Sequence, residues 1–212
     1  MIRAVIFDMD GVVTDSERIG LDALTEAGRY QGIEMDRAFL KSTMGMTFQS
    51  SEGLYHAHYP TLDGEKMVAY YRGYMDALAL SHGIPLMKGV NELLDALDEK
   101  KIPRAIASST CVRGIRLYLE GNGVYDRFTK VVSGDMCAHS KPAPDIFLKA
   151  AEELGVDPKD CLVLEDSPNG VKAGRAAGMQ VCMIPDQTPY SDALKPYCDH
   201  VADSLLDVRA LL

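Results

Sequence analysis

The chain has 212 residues, of which 47% are hydrophobic and 25% charged, the balance of an ordinary globular protein able to bury a sizeable core. Its formal net charge of -9 argues against nucleic acid or an acidic membrane as the main partner, although a local site could still be positive and accept an anion. Five cysteines, Cys111, Cys137, Cys161, Cys182 and Cys198, form no C-x-x-C pair, so reduced thiols in a cytoplasmic protein are expected, not a disulfide framework or a zinc site.

The first element is the apolar run Ala4-Val5-Ile6-Phe7, which has the length and β-branched content of a buried strand. Met1-Ile2-Arg3 leads directly into it, without the pattern of a signal peptide, and no apolar stretch is long enough to span a bilayer. From about Ser16 to Met87 the pattern is helical, with almost no strand signal. Strand and helix then alternate. Helices are predicted near 90–100, 112–120, 144–154 and 169–177, with a last helical turn at 205–211. Strands are predicted at 103–108, 130–132, 161–164 and 180–184, with a short one at 200–201.

This order predicts an α/β fold: a doubly wound, mostly parallel, Rossmann-like sheet with an inserted α-helical cap domain. Residues 1–15 and 88–212 form the catalytic core and 16–87 the cap, with linkers at Thr14-Asp15-Ser16 and Ile84-Pro85-Leu86-Met87.

Polar groups gather at the carboxyl edge of that sheet. The first strand runs into Asp8-Met9-Asp10-Gly11, the next into Ser108-Ser109-Thr110, and a later one into Glu165-Asp166. Lys141 precedes Pro142-Ala143-Pro144-Asp145 in a loop facing the same edge. Each has an ordinary reading as turn, helix cap or solvated side chain. Together they fall where open α/β sheets hold their ligands. Asp8, Asp10 and Asp166 would offer an oxygen-rich site to a hard cation such as Mg²⁺, and Lys141 and Ser108 would favour a phosphate beside it. One carboxylate could then attack phosphorus while its neighbour protonates the leaving oxygen.

The ordered motifs Asp8-Met9-Asp10-Gly11-Val12-Val13-Thr14-Asp15-Ser16, Ile106-Ala107-Ser108-Ser109, Lys141-Pro142-Ala143-Pro144-Asp145 and Leu164-Glu165-Asp166-Ser167 resemble the haloacid dehalogenase superfamily across essentially the whole chain. The branch is the one with a helical cap after the first strand, and the chain looks most like the β-phosphoglucomutase-like phosphatases. The resemblance implies Asp8 as nucleophile and Asp10 as general acid/base, with Ser108, Ser109 and Lys141 at the phosphoryl group. It assigns Mg²⁺ to Asp8, the backbone carbonyl of Asp10 and Asp166, with Glu165 as a direct or water-mediated ligand. Asn169 and Gly170 would support the metal loop.

The acid at Asp10 separates the chain from the dehalogenases and phosphonatases of that superfamily, so a phosphatase acting on a small phosphorylated metabolite is expected. A sugar or polyol phosphate is the favoured substrate, and a β-phosphoglucomutase-type mutase is the alternative. Counted without gaps from Asp15, the mutases' cap histidine falls on Gly20 and their cap arginine near Gln49. Neither residue is present, although Arg18, Arg37, Lys41 or Arg72 could supply charge from elsewhere. A response-regulator receiver has no general acid two residues after its phosphoacceptor and no cap of this length.

In the cap, Thr47, Gln49, Ser50 and Ser51 are candidates for substrate hydroxyl contacts, with a plain helix start as the equal alternative. Met35, Met44, Met46, Met67, Met75 and Met87 read as packing, as do Tyr70, Tyr71 and Tyr74, one of which could reach the pocket. His56 and His58 are two apart on a helix and point in different directions, so they are rejected as a metal pair. No nucleic acid or membrane partner is expected, and the assembly is a monomer or weak homodimer.

Overall fold

The computed structural model describes residues 1–43 and 48–212, the side chains of 48–50 excepted. After β1 (Ala4–Phe7) come four helices: α1 (Ser16–Tyr30), α2 (Arg37–Ser42), α3 (Phe48–His58) and α4 (Gly64–His82). The chain then runs through α5 (Val90–Glu99), β2 (Arg104–Ser108), α6 (Val112–Glu120), β3 (Lys130–Ser133) and α7 (Asp145–Leu154). It finishes with β4 (Cys161–Glu165), α8 (Pro168–Ala176), β5 (Gln180–Met183), β6 (His200–Val201) and α9 (Leu205–Val208).

The strands form one six-stranded sheet in the order β3-β2-β1-β4-β5-β6, and every pairing is parallel. The alternation in β1 divides the core. Val5 and Phe7 face Leu93, Leu94 and Leu97 of α5 and Ile115 and Leu119 of α6. Ala4 and Ile6 face Ile146, Phe147 and Ala150 of α7 and Val171 of α8. With both faces covered, β1, β2 and β4 are buried along their whole length, and their central residues read as apolar runs. The predicted fold class is borne out.

The winding reverses at β1, where the chain first builds outward through β2 and β3 and then crosses to β4. The carboxyl ends of β1, β2 and β4 therefore surround a crevice that no crossover helix fills.

The helices after β1 carry apolar clusters of their own. Leu21, Ala27, Met35, Leu40, Tyr55, Leu62 and Met67 form one. Ile19, Ala23, Met75, Ala79 and Ile84 form another, which continues onto Leu117 and Tyr118 of α6. Beside this seam Arg113 bonds Asp76 at 2.9 Å, and Asn122 Nδ2 donates to the Ile84 carbonyl at 2.5 Å. The two chain crossings are tied to one another: Asp15 N donates to Pro85 O at 2.8 Å and Met87 N to Val13 O at 2.9 Å. The methionines at 35, 67 and 75 do pack, whereas Met44 and Met46 lie outside the described residues. His58 stacks on Phe39, with centroids 4.2 Å apart. All five cysteines are free. Among the described residues no helix is long and apolar enough to cross a membrane.

Leu97 is fully buried between α5 and the sheet, while Leu80 on α4 is 75% exposed. Leu97→Ala should lower the unfolding free energy in urea by about 3 kcal/mol, and Leu80→Ala should change it by less than about 0.5 kcal/mol.

Candidate active site

Asp8 prolongs β1 by one residue, its N–H donating to the Leu164 carbonyl of β4 at 2.9 Å. The chain then turns sharply: the N–H groups of Val13 and Thr14 both reach back to the Met9 carbonyl at 2.9 Å. Gly11 makes the turn possible with φ +76°, and a Cβ there would stand 2.5 Å from Asp166 Oδ2. The carboxylate of β4's far end thus rests directly on the backbone of the β1 loop.

Lys141 ties these strands together from a third direction. Its ammonium donates to Asp8 Oδ1 at 2.6 Å, Glu165 Oε1 at 2.7 Å and the Ala107 carbonyl at 3.2 Å. It also lies 4.9 Å from the centre of the Phe147 ring. The other oxygen of Glu165 accepts from Ser167 N at 2.8 Å and Ser167 Oγ at 3.0 Å. Gly170 lets Glu165 lie against α8, since a Cβ there would fall 1.6 Å from Glu165 Oε1. Asn169, expected to share that supporting role, is exposed and makes no side-chain hydrogen bond among the described residues.

Among the described residues the Asp10 carboxylate is held by hydroxyls alone. Ser16 Oγ donates to Oδ1 at 2.5 Å, and Ser108 Oγ and Thr110 Oγ1 donate to Oδ2 at 3.2 and 2.9 Å. Ser108 in turn accepts from Thr110 N at 3.0 Å. Ser109 is exposed. Thr110 was visible in the sequence as part of a hydroxyl cluster, but its grip on Asp10 depends on β1 and β2 being neighbours.

Negative charge is concentrated here. Burial pushes Asp8 up to about 7, with Glu165 and Asp10 adding to it against the pull of Lys141. Burial, then the charges of Glu165, Glu17 and Asp8, raises Asp166 well above the carboxylate range. Burial opposes the charge on Lys141, yet Asp8 and Glu165 outweigh it and hold that ammonium above its ordinary value. Two acids that the sequence reading passed over join the cluster. Carboxylate oxygens of Glu17, Asp166 and Asp186 lie within 4.8 Å of one another. Asp186 Oδ2 is buried without a hydrogen-bond partner. Both had a signal: Glu17 directly follows Asp15-Ser16, and Asp186 stands just beyond the carboxyl end of β5, on the same sheet edge as the other acids.

Such a crowd of oxygens fits a hard divalent cation, and the orphaned Asp186 oxygen is what an absent positive charge would leave. Asp166, with Glu17 and Asp186 within reach of it, could hold such an ion, and Asp8 bears on Asp166 through its charge. The Asp10 carboxylate is engaged by three hydroxyls and Glu165 by Lys141 and Ser167, so neither is a freely available side-chain ligand in this arrangement.

Of the cap candidates, Thr47 lies outside the described residues, as do the side chains of Gln49 and Ser50, and Ser51 is buried at 2% exposure. Arg18 is engaged by Asp15, with its Nε 2.7 Å away, and Arg37 bonds Asp22 at 2.7 Å. Lys41 and Arg72 form no ion pair among the described residues.

Fold and site together define an α/β enzyme whose acids, hydroxyls and one buried lysine meet at a switch point under a helical insertion. The model of the haloacid dehalogenase-like hydrolases matches residues 2–178, and the chain belongs to that family. It is 30% identical to hexitol phosphatase B of Escherichia coli over 99% of this chain and 95% of that protein. It is 35% identical to a Drosophila melanogaster protein named "Probable pseudouridine-5'-phosphatase", over 96% of this chain and 90% of the other. Its structure is similar to that of beta-phosphoglucomutase from Clostridium difficile, with a TM-score of 0.78 at 26% identity, covering 98% and 93% of the two chains.

Two outcomes are expected. Asp8 at about 7 and Glu17 at about 8 hold protons in the metal-free fold that the unfolded chain releases near pH 4, so stability falls as pH rises between those limits. Thermal unfolding of the metal-free protein should therefore show a declining Tm from about pH 5 to about pH 8. Mg²⁺ should recover most of the loss at the alkaline end. Gly11→Ala drives a methyl group into Asp166, and calorimetry should show Mg²⁺ affinity reduced by about tenfold or more.

Proposed function

We propose that the chain is a Mg²⁺-dependent phosphatase that hydrolyses a small phosphorylated metabolite, a sugar or polyol phosphate, through an aspartyl phosphate on Asp8. The observation that carries this reading is the junction of Asp8, Lys141 and Glu165 within hydrogen-bond distance, with Asp10 poised separately in a cradle of hydroxyls. The relatives named as phosphatases support it, and so does the oxygen-only donor set.

In this reading an Asp8 oxygen attacks phosphorus and the bond from phosphorus to the substrate's ester oxygen breaks. Asp10, as the carboxylic acid, gives its proton to that departing oxygen. A water then attacks phosphorus, Asp10 takes the water's proton back, and the bond between phosphorus and Asp8 breaks to release phosphate. Ser16, Ser108 and Thr110 fix the direction in which Asp10 faces, so proton transfer needs no search. Lys141 keeps Asp8 oriented and places positive charge where the phosphoryl oxygens gather. When bound, Mg²⁺ supplies charge neutralisation, favouring ionised Asp8 and drawing phosphate into an acidic site. Localisation in the cytoplasm and a monomeric or weakly dimeric state belong to the same proposal. So does a cap role for residues 16–87, with the paired crossings at 13–15 and 85–87 as its hinge.

Mutase activity is the second reading, kept by the likeness to beta-phosphoglucomutase. It is disfavoured because the mutases' cap histidine falls on Gly20 and their cap arginine near Gln49, and because Arg18 and Arg37 are engaged by acids, which leaves Lys41 and Arg72 as the cations that could serve it.

Asp8→Asn should cut phosphate release from the best substrate by on the order of 10³-fold or more. EDTA should abolish activity and added Mg²⁺ restore it, both followed as released phosphate. Near-full activity in Asp8→Asn would sink the nucleophile assignment. Conversion of β-glucose 1-phosphate to the 6-phosphate with a bisphosphate primer would move the chain to the mutases.

A further inference from the structure

Two polar side chains face the crevice with no task in the steps above. Glu17 is in the first turn of α1, one residue after the Ser16 that is bonded to Asp10 at 2.5 Å. Its carboxylate approaches those of Asp166 and Asp186 within 4.8 Å, and among the described residues it forms no hydrogen bond or ion pair. Tyr71 comes from α4, and its hydroxyl stands 3.2 Å from where a Cβ at Gly20 would be. Gly20 lies three residues after Glu17, on the same face of α1. The phenol therefore fills the space beside Glu17 that a side chain at residue 20 would otherwise take. Among the described residues its oxygen has no hydrogen-bond partner, and the charges of Asp10 and Glu17 add to burial in holding it in the neutral form.

The leaving oxygen must lie next to Asp10, so the rest of the leaving group extends toward α1. What it meets there is a carboxylate that can accept from hydroxyls and a phenol that can donate or accept. Among the described residues Arg18 is held by Asp15 and Arg37 by Asp22, whereas Lys41, which forms no ion pair, bears with Arg18 on Asp186 through its charge. A second anionic group on the substrate would face Glu17 and Asp186 at short range.

We propose that Glu17 and Tyr71 are the specificity-determining pair of the crevice, reading hydroxyl groups of the leaving alcohol and selecting an uncharged polyol or sugar over one that carries a second anion. This rests on the phosphatase reading and goes further, because it assigns the choice to two residues of the first and fourth helices and gives it a sign.

The test compares kcat/KM of the Mg²⁺-loaded wild type for p-nitrophenyl phosphate, a hexitol monophosphate, phosphoglycolate and a hexose bisphosphate. The hexitol ester should exceed both acidic esters by at least about tenfold. Glu17→Gln should lower that preference about tenfold and Tyr71→Phe about fivefold, chiefly by losing rate on the hexitol ester. Should one variant fail to fold, the other and the wild-type profile still decide. A wild type that prefers phosphoglycolate or the bisphosphate, or variants that slow all four esters in proportion, would overturn the pair's role and leave the phosphatase standing. A wild type that turns over none of the four, p-nitrophenyl phosphate included, would overturn both.

Discussion

The ammonium of Lys141, wedged between Asp8 and Glu165, is the interaction on which the site depends. Two carboxylates at the ends of adjacent buried strands would repel each other and resist desolvation. A cation with three donors answers both costs, because it bonds each acid and the Ala107 carbonyl of β2. One side chain thereby pins the carboxyl ends of β1, β2 and β4 together, which is where the sheet's winding reverses. Removing it would leave paired acids buried without compensation, a far larger penalty than an exposed ion pair carries.

Close approach is the second constraint. Asp166 can rest on the β1 loop and Glu165 on α8 only because residues 11 and 170 carry no side chain. The glycines set how tightly acids from different strands can gather, and hence how strongly the site favours a proton or a divalent cation over leaving them bare. Asp10 is treated differently. Hydroxyls from α1 and from the segment after β2 hold it, so it is oriented without being neutralised. The two aspartates of one short loop thus receive separate environments, as the nucleophile and acid/base roles proposed for them would require.

The helical insertion is fastened to the sheet domain by apolar packing and by backbone hydrogen bonds. The seam from α4 to α6 and the paired crossings hold it to the sheet, while α1 delivers Ser16 and Glu17 to the crevice.

Much of this was legible in the sequence. Apolar runs ending in acids announced the buried parallel strands, and the spacing at 90, 93, 94 and 97 announced the inward face of α5, because a strand with both faces covered and a helix with one leave different periods. Asp8, Asp10, Glu165 and Asp166 were recognisable through their place after those runs, as was the hydroxyl cluster at 108–110, and Lys141 through its loop before Pro142-Ala143-Pro144-Asp145. Proximity between distant segments was not. That Lys141 bonds Asp8, that Thr110 and Ser16 share Asp10, that Asp186 joins Asp166, and that Tyr71 fills the space at Gly20 follow from the order of strands and the docking of α4 on α1. Local pattern records which face of an element is buried, because that is a property of a few neighbouring residues. Which side chains meet across the crevice depends on how whole elements pack, and only the assembled tertiary structure decides it.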